Sequence, residues 1–246
     1  MNLESRIVHI LSYLFPQTVE KVYSKYNGEI RVTRFCGRIS IEAGGLMQSG
    51  KFLEETWWKL ISNIKFPISN IPASPAGRQY KIPNTKYKIL ILGLGGGSII
   101  HVLNRKFPKA QITGVDIDKE IVTLGKKYNG LDQTSNLTIK IADALKFIAS
   151  ESKKKKKYDL IFVDLYWGYT IPSQFQTASF LKQLDQILLR GGIVIFNRLK
   201  IQMNNPEAKQ FLDKLRNIFQ YVNTTTILAT TLVVANSKTA RPLKVT

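Results

Sequence analysis

A glycine-rich turn between an apolar run and a helical pattern is the strongest sign of chemistry in the sequence. Residues 89–92 are all Ile or Leu, and residues 93–97 are Gly-Leu-Gly-Gly-Gly. Glycine lets the backbone turn sharply and lets a ligand approach without a Cβ in the way, and the start of the next helix offers free N–H groups to polar ligand atoms. Asp116 ends the next predicted strand, 23 residues after Gly93, where a carboxylate can accept hydrogen bonds from both hydroxyls of a ribose. A glycine-rich turn alone is weak evidence, because a turn with a purely structural role has the same composition. Together with Asp116, the turn predicts a nucleoside site formed by Gly93, Gly95, Gly97 and Asp116.

Two further aspartates follow the next two predicted strands. Asp143 comes directly after a strand over residues 137–141, where it can accept a hydrogen bond from an adenine amino group or, equally, cap the helix that begins at Ala144. Asp164 ends the fourth strand, near the point where open α/β sheets bind ligands. We therefore expect Asp164 to orient an acceptor or to take its proton.

Aromatic residues follow Asp164 closely. Tyr166, Trp167 and Tyr169 predict an acceptor pocket with an aromatic lining, and simple packing of a loop over the sheet explains them equally well. The chain has one cysteine and two histidines, so we expect no metal site and no internal disulfide bond.

The elements that must position these residues alternate between strands and helices from residue 87 onward. Short apolar strands separated by helices predict an α/β fold, a Rossmann-like, mostly parallel, twisted sheet with helices on both faces. Two strand-like runs over 224–229 and 231–235 predict an antiparallel C-terminal hairpin at the edge of that sheet. The predicted strands of the parallel part are 88–92, 111–115, 137–141, 159–163 and 192–197.

The first third of the chain has a different pattern. It predicts a helix over 3–15, a small β-hairpin over 28–35 and 38–42, and a helix over about 52–64. Four prolines make 66–86 a linker or an ordered loop. The predicted organisation is therefore an N-terminal region over 1–65, a proline-rich linker over 66–86 and a nucleoside-binding catalytic domain over 87–246.

Taken in order, these segments resemble the class I methyltransferase superfamily, and the wider layout is similar to its spermidine synthase (aminopropyltransferase) branch. The resemblance covers about residues 28–200 and includes the Leu189-Arg190-Gly191-Gly192 turn and the segment from Gly45 to Gly50. It implies S-adenosylmethionine, or its decarboxylated form, as the cofactor. It also implies that Gln48 contacts the methionine part of that ligand, Asp116 its ribose and Asp143 its adenine.

The sequence departs from the spermidine synthases at three positions. Ser98 replaces an aspartate after the glycine run, Trp167 replaces a second aspartate after the fourth strand, and Trp57-Trp58 replace a tyrosine–histidine-type pair. Because these groups would hold a cationic diamine, we expect a methyltransferase acting on an unidentified small-molecule acceptor, one that could be anionic. An aminopropyltransferase using decarboxylated S-adenosylmethionine is the first alternative, and a non-catalytic nucleoside- or RNA-binding protein is the second.

Charge and composition bear on partners and location. The 36 Lys and Arg against 17 Asp and Glu give a net charge of +19, which can attract nucleic acid but repels a free polycation unless the pocket is locally acidic. The sequence contains no apolar run of the length that a membrane helix requires, and we expect a cytoplasmic protein. The resemblance is also compatible with a homodimer.

Overall fold

The computed structural model describes residues 13–62, 64 and 86–237. The helix expected over 3–15 and the linker expected over 66–86 lie almost wholly outside these residues. The expected division of the chain at residues 65 and 86 therefore stays a prediction.

An antiparallel sheet of four strands precedes the parallel sheet. The central two strands are the expected hairpin, and a further strand pairs with each of its edges. The N-terminal β region is therefore larger than the hairpin that the sequence predicts. The four strands, hereafter the N-terminal sheet, are β1 Gln17–Ser24, β2 Gly28–Phe35, β3 Arg38–Ala43 and β4 Leu46–Gly50.

The central sheet has seven strands, which are β5 Lys88–Leu92, β6 Gln111–Asp116, β7 Leu137–Ile141, β8 Tyr158–Val163, β9 Leu188–Leu199, β10 Phe219–Ile227 and β11 Thr230–Ser237. Their order across the sheet is β10-β11-β9-β8-β5-β6-β7. The five strands from β5 to β9 are parallel, and the C-terminal hairpin joins them through antiparallel pairing of β11 with β9. This confirms the Rossmann-like fold and the antiparallel edge hairpin.

Helices cover both faces of the central sheet because successive side chains of a strand point to opposite faces. The helices are α1 Lys51–Ser62, α2 Ser98–Lys106, α3 Lys119–Asn129, α4 Ala144–Lys153, α5 Ala178–Ile187 and α6 Pro206–Ile218. On β5, Ile89 and Ile91 pack with α1, α2, α3 and the N-terminal sheet, whereas Leu90 and Leu92 pack with α4, α5 and α6. In the part of the chain that the structure describes, no helix is both long and apolar enough to span a membrane.

Polar contacts hold the N-terminal sheet against the carboxyl ends of the parallel strands. The Ser98 hydroxyl accepts a hydrogen bond from the Gly50 N–H at 2.9 Å, and Asn129 Nδ2 donates to Ser49 Oγ at 2.6 Å. The buried carboxylate of Asp118 accepts a hydrogen bond from the Ser24 hydroxyl. The N-terminal sheet is thereby positioned to contribute β4 to the region where the sequence predicts the ligand.

Candidate functional site

A cavity of about 430 Å³ lies at the carboxyl ends of β5, β6 and β8. The strand order reverses there, since β6 lies on one side of β5 and β8 on the other, and ligands bind at such switch points. The N-terminal sheet and α1 close the opposite side with Leu46, Met47, Gln48 and Phe52. A volume of this size is within the range of small-molecule and cofactor sites.

The glycine turn borders the cavity at Gly93 and Gly95. Gly93 has a φ of +86°, and a Cβ at this position would lie 2.0 Å from the backbone oxygen of Asp164. A side chain would therefore separate β5 from the segment that follows β8. Gly95 has a φ of +53°, and its N–H donates to Asp116 Oδ2 at 2.7 Å.

Gly97 lies outside the residues that line the cavity. Its left-handed backbone, with a φ of +89°, begins α2, and a Cβ there would lie 2.3 Å from Leu131 Cδ2. Packing against Leu131 therefore explains this glycine, and its role in cofactor binding stays a prediction.

Asp116 lies at the end of β6 with both carboxylate oxygens held by the backbone. Oδ2 accepts the Gly95 N–H, and Oδ1 accepts the Asp118 N–H at 2.9 Å. Burial raises the pKa of Asp116, and the hydrogen bonds from Asp118 and Gly95 oppose that rise. The carboxylate is thus fixed in the cavity lining, where the sequence predicts contact with a ribose.

Asp143 both lines the cavity and caps a helix. Its Oδ1 accepts the Lys146 N–H at 3.0 Å in the first turn of α4, so the two interpretations of this residue are compatible. Gln48 also lines the cavity, and its Oε1 lies 3.6 Å from the position that a Cβ on Gly95 would take. Gln48 and the glycine turn therefore face each other.

Asp164 lies at the end of β8 in the same cavity lining as Asp116. Its Oδ1 accepts a hydrogen bond from Asn197 Nδ2 at 2.7 Å. Burial raises the pKa of Asp164 to about 6; the hydrogen bond from Asn197 lowers the pKa, and the nearby charge of Asp116 raises it. A carboxyl group with this pKa can exchange a proton near neutral pH.

The three aromatic residues after Asp164 occupy different positions. Tyr166 lines the cavity, its hydroxyl accepts the Leu199 N–H at 2.9 Å, and burial raises its pKa. Trp167 lies at the cavity mouth with 66% of its surface exposed. Tyr169 lies outside the lining, because its hydroxyl donates to the Gly45 carbonyl at 2.7 Å and its ring packs against Gly45. Tyr169 thus fastens this loop to the turn between β3 and β4.

All charged side chains that line the cavity, among the described residues, are acidic. They are Asp116, Asp143 and Asp164, with no Lys, Arg or His beside them. The cavity therefore attracts positive charge locally, although the whole chain carries +19. Within the same residues, no group of His, Cys, Asp and Glu side chains has the arrangement of a metal site.

Asn197 lines the cavity and was not singled out from the sequence. It ends the apolar part of β9 and contacts Asp164, and it could have been found because an aspartate also ends β6 and another follows β8. Trp57 lines the cavity from α1 and makes an edge contact with Phe162, with ring centroids 6.2 Å apart. No local pattern separates this tryptophan from an ordinary core residue.

Comparison with known proteins gives enzymes of two kinds. A probable polyamine aminopropyl transferase of Bifidobacterium longum is 32% identical over 138 residues, which cover 56% of this chain and 30% of that protein. The human eEF1A lysine and N-terminal methyltransferase is 32% identical over 118 residues, which cover 44% of this chain and 17% of that protein. The matched segments thus cover less than a third of the length of either relative.

Two solved structures share the fold of this chain. A probable spermidine synthase from Corynebacterium glutamicum superposes with a TM-score of 0.67 at 16% identity, over 89% of this chain and 80% of that one. Human methyltransferase-like protein 13 in complex with SAH superposes with a TM-score of 0.55 at 26% identity, over 61% of this chain and 72% of that one. The first likeness extends over most of the chain and supports the fold alone.

The family assignment follows from a match along most of the chain. Residues 73–237 match the model of the spermine/spermidine synthase domain. The chain therefore belongs to the spermine/spermidine synthase domain family, within the class I S-adenosylmethionine-dependent methyltransferase superfamily.

Proposed function

We propose that the protein binds S-adenosylmethionine and transfers its methyl group to the nitrogen of an amine held by Asp164. The observation that carries this proposal is the set of charges in the cavity, where the charged lining residues of the described chain are three aspartates. An anionic acceptor would be repelled there, whereas an amine, protonated in solution, is attracted. The acidic lining therefore moves the expected acceptor from an anion to an amine.

The donor side of the cavity fits a nucleoside. Both carboxylate oxygens of Asp116 are held in the cavity lining by backbone N–H groups, and Gly95 lies beside Gln48. These contacts support the proposed bonds from ribose hydroxyls to Asp116, and the position of Asp143 in the same lining supports its proposed contact with adenine. The bound sulfonium supplies an activated methyl group, so the protein has to align the acceptor and handle its proton.

Asp164 is suited to that proton. With its pKa near 6, the carboxylate is mostly ionised at neutral pH and can accept a hydrogen bond from the amine. The Asp164 carboxylate first takes a proton from the bound ammonium, which gives the nitrogen a free electron pair. As the C–N bond then forms and the C–S bond breaks, the sulfur keeps the bonding electron pair and the nitrogen becomes positively charged again. The acidic lining stabilises this charge, and the proton on Asp164 returns to solvent when the product leaves.

Calorimetric titration with S-adenosylmethionine, its decarboxylated form and methylthioadenosine tests the donor. We expect binding of S-adenosylmethionine, and we expect Asp116→Ala to weaken it at least about tenfold because the ribose loses its acceptor. Asp132→Ala is the matched control, since Asp132 is exposed on another part of the surface. Absence of binding by all three nucleosides would remove the basis of the proposed function.

Aminopropyl transfer is the second candidate, and two observations favour it. The three aspartates of the lining attract a polycationic amine as well as a simple one. Within the described residues, the lining holds no basic side chain that could pair with the carboxylate of S-adenosylmethionine, and the decarboxylated donor has no such group. The Bifidobacterium relative is described as an aminopropyl transferase. Tighter binding of the decarboxylated form in the same titration would place this function ahead of methyl transfer.

A further inference from the structure

Asn197 occupies a position where a side chain can act on Asp164. It lies in β9, the strand that pairs with β8, and it lines the same cavity. Its Nδ2 donates to Asp164 Oδ1 at 2.7 Å. This contact fixes the orientation of the amide, because the reverse orientation would place two acceptor oxygens against each other.

The oxygen of the Asn197 amide, in contrast, makes no hydrogen bond with the described residues. This atom, Oδ1, is buried. Burial of an unpaired carbonyl oxygen is unfavourable, and leucine, with a similar shape, would fill the same space without that cost. The contribution of Asn197 therefore lies in its contact with Asp164 and not in the stability of the strand.

We propose that Asn197 is a positioning residue, which holds one oxygen of Asp164 so that the other oxygen, Oδ2, faces the acceptor amine. This inference rests on the proposed function and deepens it, since it gives the acceptor nitrogen one defined carboxylate oxygen. The hydrogen bond from Asn197 also lowers the pKa of Asp164, against burial and the charge of Asp116. The other ionisable groups around this pair are Tyr166, which follows β8, and Arg198 on β9.

Asn197→Leu separates a positioning role from a structural one. At a pH below the pKa of Asp164, where its carboxyl group is protonated, we expect the melting temperature of this variant to equal or exceed that of the wild type. We also expect the pKa of Asp164 to rise, and kcat at neutral pH to fall about tenfold while KM for the donor is unchanged. The pKa is read from the ¹³C carboxyl signal of Asp164, identified by its absence in Asp164→Asn.

Two further variants complete the test. Asn136→Leu is the structural control, because Asn136 Nδ2 donates to Asn104 Oδ1 at 3.0 Å and to the Ala110 carbonyl at 2.8 Å. It should lower the melting temperature and leave the pKa of Asp164 unchanged. Asn197→Asp serves if Asn197→Leu does not fold. It keeps the shape of the side chain but replaces the donor by a second carboxyl group, and it should therefore raise the pKa of the pair of carboxyl groups.

The outcomes distinguish this inference from the proposed function. An unchanged Asp164 pKa in both Asn197 variants, or a melting temperature of Asn197→Leu that falls as far as that of Asn136→Leu, would overturn the positioning role. A raised pKa with an unchanged pH dependence of kcat/KM would overturn it as well. Because the carboxyl titration needs no nucleoside, it still decides how Asn197 acts on Asp164 if the donor titration fails.

Discussion

At the scale of single residues, Asp164 combines two properties that oppose each other. It lies in the cavity lining, where it can meet an acceptor, yet burial and the charge of Asp116 disfavour its ionised form and raise its pKa to about 6. A carboxyl group with a raised pKa binds its proton more tightly in the folded than in the unfolded protein. Asp164 therefore stabilises the fold at low pH and reduces its stability above pH 6.

Asp164→Asn tests this trade-off. The amide removes the charge and can still accept the hydrogen bond from Asn197. Above pH 6 we expect a free energy of unfolding that is larger than that of the wild type by roughly 3 kcal/mol, together with a loss of kcat. The gain should decrease as the pH falls through 6 and vanish below about 3.8, the usual pKa of aspartate. Urea unfolding at a series of pH values measures it, and a constant difference between pH 4 and 8 would contradict the assignment.

At the scale of elements, the close approach of β5 to the end of β8 depends on Gly93. Its φ of +86° suits glycine, and a Cβ would meet backbone atoms, which have little room to move. This approach places the glycine turn, Asp116 and Asp164 around one cavity. A change at Gly93 therefore acts on the site through the sheet and not through a lost side-chain contact.

Gly93→Ala can be compared with Gly191→Ala, because both glycines have φ values above +80° but only Gly93 is crowded. For Gly191→Ala we expect the backbone cost alone, about 1–2 kcal/mol. For Gly93→Ala the clash adds to this cost, for a total of about 3–5 kcal/mol, and donor binding should be lost. Chemical unfolding and calorimetry measure these effects, and equal losses in the two variants would argue against the crowding.

The elements also differ in how well the sequence predicts them. β5 and β7 were predicted with their observed bounds. β5 is a short apolar run buried on both faces, and β7, at the edge of the sheet, alternates Leu and Ile with polar residues. β1 and β4 were missed because their apolar residues are few, and because β4 is short and ends in a glycine. Both strands pair with their neighbours along the chain, β1 with β2 and β4 with β3. The prediction of β9 began four residues too late, since Arg190-Gly191-Gly192 has the composition of a turn but forms an irregular part of the strand.

The residues of the candidate site likewise differ in how well the sequence predicts them. Asp116, Asp143 and Asp164 were predicted because each lies at the carboxyl end of a predicted strand or within two residues after it, and each of them lines the cavity. Asn197 satisfies the same rule, but its role depends on the contact with Asp164, which requires β8 and β9 to be neighbours. The position of Tyr169 outside the lining depends on the turn at Gly45, 124 residues away, which no local pattern encodes.

At the scale of the whole molecule, the local and the overall charge have opposite signs. The net charge of +19 acts over distances of a Debye length, whereas the three aspartates act within the cavity. A cationic acceptor is therefore repelled at long range and attracted at short range. The same net charge supports nucleic acid as a further partner, a proposal that the acidic cavity neither requires nor opposes.

The dependence of kcat/KM on salt tests this balance. For a dicationic amine at saturating donor, we expect kcat/KM to rise several-fold from about 0.01 M to 0.15 M ionic strength, because the Debye length falls from about 30 Å to about 8 Å and screens the repulsion. An acceptor amine that is uncharged at the pH of the assay should show little change. A decrease for the dication would mean that the carboxylates in the cavity dominate its approach.

The three tryptophans of the chain lie in three different environments. Trp57 is buried against Phe162, Trp58 lies 3.6 Å under the guanidinium of Arg105, and Trp167 is exposed at the cavity mouth. Indole emission depends on the polarity around the ring, so the solvent-sensitive part of the protein's fluorescence comes chiefly from Trp167. Trp167 thus provides an intrinsic fluorescence signal for molecules that enter or leave the cavity.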